Sequence, residues 1–212
     1  MDKTTISKAI EKALEGKGKK KFTQTVEAVF NFKGLDTSKP ENRVNLDIQL
    51  PKGRGKAVPV VVFGDTAVAL DAQKAGAKLV LDAAGIAKLA TNPAEVKRLA
   101  KECEFIAAPN LMVVVGKNLG QVLGSRGRLP RPIAGNVAEA MKMAASRVRL
   151  VTRGKYLPTV QCAIGSEAMS VPDLVENFEA VYEKVKSKVG EPAMGAIYVK
   201  LTMGTAVKVG AN

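Results

Sequence analysis

Histidine is absent from the 212 residues. That excludes Ser-His-Asp and Cys-His catalysis, and any zinc site built on imidazole. Tryptophan is absent too, and aromatic residues make up only 4% of the chain. A surface that stacks successive unpaired bases needs more rings, so a nucleic-acid partner would be a folded one, recognised by shape, backbone and hydroxyl contacts. The two cysteines, Cys103 and Cys162, are far apart in apolar surroundings and are expected as buried thiols in a reducing compartment. No apolar run approaches the ~20 residues that cross a bilayer. Met1-Asp-Lys-Thr-Thr lacks the apolar core of a signal peptide. An intracellular, cytoplasmic chain is expected, with no membrane partner, no metal and no cofactor.

Acid is the other scarcity. Lys and Arg number 33 against 20 Asp and Glu, giving a formal net charge of +13 and a pI near 9.8. From Phe105 to Ser166 the only acid is Glu139, against nine Lys or Arg. From Ala193 onward there is none. Charge segregated in this way is the footprint of a polyanionic partner, most often nucleic acid. With 46% apolar residues, the chain can also bury a core.

Hydrophobic period organises the chain. Ile6, Ala9, Ile10, Ala13 and Leu14 predict a helix over 4–14. The basic segment Gly16–Lys21 follows, open to reading as a solvated linker or as a phosphate-contacting arm. Phe22 to Phe32 alternates as a strand, with Phe22, Gln24, Val26, Ala28, Phe30 and Phe32 on one face. A polar loop stops at Pro40. Arg43 to Leu50 alternates again and is expected to pair antiparallel with the first strand. Gly53 and Gly55 among cations suggest a hinge.

The pattern then changes. Ala57 to Phe63 is continuously apolar, as in a strand covered on both faces. Asp65 is expected to cap a helix, Lys78–Leu81 to form a strand, and Asn92-Pro93 to open another helix. Phe105–Ala108 is a further strand, and 136–146 a further helix. This alternation implies a parallel sheet with helices on its faces. After Arg147 the antiparallel style returns, with strands around Val148–Thr152, Thr159–Ile164 and Ala196–Leu201, and a last short strand over Thr205–Val209. A loop is expected over Gly165–Ser170, and a helix over 172–188 whose charges suit its dipole. The expected fold class is α/β in two domains. Residues 1–53 and 147–212 form a split domain with an antiparallel sheet. Residues 54–146 form an inserted, Rossmann-like domain with a parallel sheet, and the crossings act as hinges.

Within the inserted part, Asn110 is expected to cap a helix carrying Leu111, Val114, Val115, Leu119, Val122 and Leu123. Gly116, Gly120 and Gly124 share one face of it, where another backbone could come close. Gly124 and Gly127 end it. The basic loop Arg126–Arg131 follows. The glycines match neither a phosphate loop, which needs Lys and Ser/Thr directly before a helix, nor a dinucleotide fingerprint. A nucleotide-dependent enzyme using the parallel domain is the alternative reading, and these absences weigh against it.

The run Gly116-Lys-Asn-Leu-Gly-Gln-Val-Leu-Gly-Ser-Arg-Gly-Arg-Leu-Pro130 resembles the signature of the ribosomal stalk-protein family, the first protein of the large subunit. Lys21-Phe-Thr-Gln-Thr-Val-Glu27 and Ala196-Ile-Tyr-Val-Lys-Leu-Thr-Met-Gly204 resemble its RNA-binding parts. The resemblance covers nearly the whole chain, in order, and its wording is that of the archaeal branch. It implies a non-enzymatic protein whose split domain holds large-subunit rRNA at the mobile stalk, near the tRNA exit site. It also implies help in releasing deacylated exit-site tRNA, repression of the protein's own mRNA, and a monomer outside the ribosome.

The residue chemistry is compatible with such a surface. Thr202 has a hydroxyl suited to a ribose 2′-OH or a base edge, Met203 gives soft apolar contact, and Gly204 allows close backbone approach. Phe22 offers a ring, Thr25 a hydroxyl, and Glu27 an acceptor for ribose hydroxyls or base amines. Read alone, Phe22 and Met203 fit a core better than a surface, and Thr25 could merely favour a strand. The resemblance turns these into RNA-binding residues. Lys21 and Lys39 are candidate phosphate contacts, and the Arg126–Arg131 loop a weaker one. Gly165, Ser166, Met169 and Ser170 are included in the site, although Gly-Ser-Glu-Ala-Met-Ser departs from the Gly-Lys-Ala-Ser of bacterial relatives and lacks a phosphate-binding lysine.

Overall fold

The computed structural model describes residues 1–36, 39, 42–152 and 157–210. Pro40, expected as a stop, lies outside the described residues. The chain opens with α1 (Lys3–Leu14), β1 (Thr25–Phe32) and β2 (Asn45–Gln49). A parallel stretch follows: β3 (Val60–Phe63), α2 (Thr66–Lys74), β4 (Leu79–Leu81), α3 (Ala83–Ala90), α4 (Pro93–Glu102), β5 (Glu104–Ala107), α5 (Met112–Ser125), β6 (Arg131–Pro132) and α6 (Val137–Ser146). The chain then adds β7 (Arg147–Val151), β8 (Thr159–Ser166), α7 (Val171–Val189), β9 (Met194–Leu201) and β10 (Val207–Val209). These elements form two compact units, 1–56 with 146–212, and 57–145.

In the first unit, β10, β9, β1 and β8 make an antiparallel sheet in that order. Val26, Ala28, Phe30 and Phe32 point to one face, where they meet Ile6 and Ile10 of α1 and Leu174, Phe178, Val181 and Val185 of α7. Phe30 stacks on Phe178 with ring centroids 5.9 Å apart. Burial of each such side chain contributes ~1.5–3 kcal/mol, which is why the i, i+4 stripe of α7 and the alternation of β1 need each other. The opposite face of β1, with Thr25, Glu27, Val29 and Asn31, is only half-buried.

One pairing differs from expectation. β2 does not pair with β1; it forms a two-stranded antiparallel ladder with β7, Asp47 opposite Arg149. Both edges of β1 are taken by β8 and β9. Alternation reveals which face of a strand is buried, whereas the partner is set by long-range closure of the core. The 165–170 stretch is also more ordered than a loop: Gly165 and Ser166 end β8, and the Ser170 side chain caps α7 by accepting the Asp173 amide at 3.3 Å.

In the second unit the sheet order is β4–β3–β5–β6, all parallel. Val61, Phe63, Phe105 and Ala107 face α3, α4 and α5, while Val60, Val62 and Ile106 face α2 and α6. Coverage on both faces explains the unbroken apolar run at Val60–Phe63. Asn92 caps α4 as expected, accepting from the Glu95 amide at 3.3 Å.

Two other expected caps are not formed. One turn of 3-10 helix over Pro109–Leu111 precedes α5, so Asn110 is no cap; its amide instead donates to the Asp65 carboxylate. Asp65 makes no side-chain bond to the α2 it precedes. The glycine face of α5 is also not a close approach: a Cβ on Gly116 or Gly120 would meet nothing within 4 Å. Gly127 does end the helix. Its φ is +63° and its amide reaches the Gly124 carbonyl, while Arg128 N reaches Leu123 O, the paired bonds of a Schellman turn.

Candidate nucleic-acid interface

The two ends of the chain meet where β1 begins and β9 ends. Val26 pairs with Leu201, and beyond that pair Thr202 folds back onto Thr25. The Thr202 amide donates to the Thr25 carbonyl at 3.0 Å, and its hydroxyl donates to the same oxygen at 3.3 Å. The Thr25 amide donates to the Thr202 hydroxyl at 3.1 Å. One lone pair of that hydroxyl is left to accept. The turn closes with the Gly204 amide on the Leu201 carbonyl at 3.0 Å. A Cβ on Gly204 would sit 3.0 Å from that of Leu201, so a side chain there would crowd the turn.

Phe22 and Met203 are both large, apolar and exposed, at 51% and 63%. Neither belongs to the core, so the core reading of both is set aside. They lie at the same end of the sheet: Phe22 is two residues before Gln24, and the Met203 amide donates to the Gln24 side-chain oxygen at 3.1 Å. Lys21 is exposed beside Phe22. Glu27 lies on the half-buried outer face of β1, directly opposite Lys200 of β9. The Lys200 ammonium donates to the Thr202 carbonyl at 3.2 Å.

The Gly165–Ser170 residues divide by exposure. Ser166 pairs with Thr25 and Gly165 with Val26, so both adjoin the group. Both are buried, and the Ser166 hydroxyl is turned inward, donating to the Gly55 carbonyl at 3.1 Å. Met169 packs against glycines on two sides: a Cβ on Gly55 would lie 2.6 Å from its sulfur, and one on Gly165 2.7 Å from it. Ser170 is exposed. Lys39 is exposed in the loop that follows the far end of β1, seven residues beyond Phe32, and among the described residues nothing ties it to the Thr25–Thr202 group.

Two side chains that shape this region are not evident as site residues in the sequence. Gln24, 2% exposed, and Glu167, 7% exposed, are hydrogen-bonded to each other at 3.3 Å. The signal for Gln24 was present: it is the one polar residue among the inward-facing residues of β1 and its approach. Asn177, fully buried on the apolar stripe of α7, is the second such case. It donates to the carbonyls of Gly53 at 2.9 Å and Ile164 at 2.8 Å, and accepts from the Lys52 amide at 3.0 Å. The glycine-rich segment expected to hinge is therefore tied into the first unit at Lys52, Gly53 and Gly55.

A model of the ribosomal protein L1p/L10e family matches residues 8–205. The chain belongs to the ribosomal protein L1p/L10e family. It is 39% identical to the large ribosomal subunit protein uL1 of Methanocella arvoryzae, over 95% of this chain and 96% of the relative. It is 37% identical to the uL1 of Methanothermobacter thermautotrophicus, over 96% and 98%, and 40% identical to that of Thermofilum pendens, over 97% and 92%. Proteins of the L1p/L10e family are structural ribosomal proteins, not enzymes, and the mixed α/β architecture with separate antiparallel and parallel sheets is consistent with its two-domain fold.

In this L1p/L10e chain the basic loop after α5 is partly committed to the fold. Arg128 is paired with the buried Glu104 of β5, and Arg131 lies in β6. Arg126 and Arg131 are both exposed. Among the described residues, no helix is long and apolar enough to cross a membrane.

Proposed function

We propose that this structural constituent of the large ribosomal subunit binds large-subunit rRNA at the mobile stalk, through the end of the first unit's sheet where Phe22, Thr25, Glu27, Thr202, Met203 and Gly204 converge. Its family puts it on the ribosome, in the cytoplasm. The observation that carries the reading is the pair of exposed apolar side chains, Phe22 and Met203, in the segments that a backbone clasp between Thr25 and Thr202 joins. An exposed ring and thioether cost solvation unless a partner covers them, and both present flat, soft surface to a base or sugar. Lys21 and the basic segment before it supply the phosphate-directed charge. Glu27 supplies an acceptor that a ribose hydroxyl or base amine can use.

Helping deacylated tRNA leave the exit site, and repressing translation of the chain's own mRNA, complete the proposal. Both rest on the family resemblance. The message would carry a folded mimic of the rRNA site, so the same residues serve both RNAs, and the free protein acts as a monomer. Binding of a folded stalk fragment, of its 2′-deoxy analogue and of an unrelated hairpin tests the reading. Preference for the ribose fragment over both others is expected. Equal affinity for the deoxy analogue would contradict it.

A further inference from the structure

We infer that Gln24 is a positioning residue for the RNA interface, and that its pairing with Glu167 sets the spacing of three surface segments. The inference rests on the proposal that this end of the sheet binds RNA. Gln24 sits in phase with Val26, Ala28, Phe30 and Phe32, a face that otherwise carries only apolar side chains into the core. A buried amide there costs free energy unless its polar atoms are paired. They are paired, and every partner lies in a surface segment rather than in the core.

The Gln24 side-chain nitrogen donates to Glu167 Oε2 at 3.3 Å and to the Gly16 carbonyl at 3.4 Å. The side-chain oxygen accepts from the Met203 amide at 3.1 Å. The main-chain carbonyl accepts from the Glu167 amide at 3.0 Å. Three segments are thus fixed to one residue: the start of the basic Gly16–Lys21 stretch, the turn after β8, and the turn carrying Thr202 and Met203. Gly16 also packs on Leu201, its Cβ position 3.4 Å from that side chain. The basic stretch therefore leaves from a fixed point beside Phe22 and Met203, as a phosphate-contacting arm would.

Glu167 explains why residue 24 is glutamine. A carboxylate at the edge of a phosphate-binding surface repels its partner. Here it is turned inward and hydrogen-bonded by a neutral amide. A glutamate at 24 would set two carboxylates in contact and push the turns apart. A glutamate at 24 opposite a lysine at 167 would restore an attractive pair.

The test uses the full chain, a folded rRNA stalk fragment and an unrelated hairpin. Its readout is the ratio of the two affinities, which added or removed charge alone does not move. Gln24→Glu is expected to lower that ratio by about tenfold or more. The double variant Gln24→Glu/Glu167→Lys is expected to recover it to within about threefold. An unchanged ratio for folded Gln24→Glu overturns the inference, as does a double variant that fails to recover. If Gln24→Glu does not fold, Gln24→Met decides: a lowered ratio at near wild-type melting temperature supports positioning, and an unchanged ratio overturns it. A wild-type ratio of one removes the RNA proposal and this inference with it. A wild-type preference lost in Thr202→Val but kept in Gln24→Glu removes only this inference.

Discussion

Phe22 and Met203 are costly to leave in water and contribute little to the fold. Their exposure separates two effects that usually move together. Phe22→Ala should leave unfolding free energy within about 0.5 kcal/mol of wild type, yet weaken binding to the stalk fragment by about 1–3 kcal/mol, the usual worth of a ring against a base. Urea melts and a binding titration on the same preparation check both halves. The sequence held Phe22 between two roles because alternation puts it in phase with Val26 and Phe30; the strand begins only at Thr25, and the inward phase reaches back to Gln24 but not to Phe22. The cysteines show the opposite case, where burial was legible from apolar neighbours alone. Burial pushes the Cys162 thiol up to about 12, and Cys103 is raised for the same reason. Only the thiolate alkylates, so at pH 8 both stay protonated. Iodoacetamide should add no mass to the native protein and should add it at both cysteines in denaturant.

At the scale of elements, α7 was the easiest reading, because its stripe, its charges and its start all agree. What the stripe concealed was Asn177, an amide at full burial that spans Gly53, Ile164 and Lys52. Asn177→Ala leaves buried backbone groups without partners, each costing ~1–3 kcal/mol. It should lower unfolding free energy by about 3 kcal/mol in a urea melt. A loss under 1 kcal/mol would mean that water or a rearranged loop replaces the amide. Strand partners were less legible than strands. Nothing in the alternation of Val44, Ile48 and Leu50 says that β7, about a hundred residues away in sequence, is the neighbour. That choice follows from β8 and β9 flanking β1. Cap residues misled in a similar way: Asp65 and Asn110 each suit a helix start but satisfy each other.

For the whole molecule, charge and family wording carried more than local pattern did. The first unit is assembled from both ends of the chain, and its ladder brings the crossing points together, with Gln49 opposite Arg147 and the Leu50 amide on the Ser146 carbonyl at 3.1 Å. A short glycine–serine link can therefore replace residues 57–145 without straining the sheet. That shortened chain should fold and keep its preference for the stalk fragment, since the converging residues all lie in the first unit. Circular dichroism and the binding titration read the two outcomes. Loss of preference in a folded product would assign part of the RNA contact to the second unit.

The most direct measurement is the affinity of the full chain for a folded stalk fragment and for an unrelated hairpin across a range of salt, with wild type and Thr202→Val compared. The predicted result is a wild-type preference that survives as salt weakens both complexes, and its collapse when the hydroxyl bridging Thr25 and Thr202 is removed. Equal affinities that fall in parallel with salt, for both proteins, would leave only counterion release from a basic surface and would contradict the account.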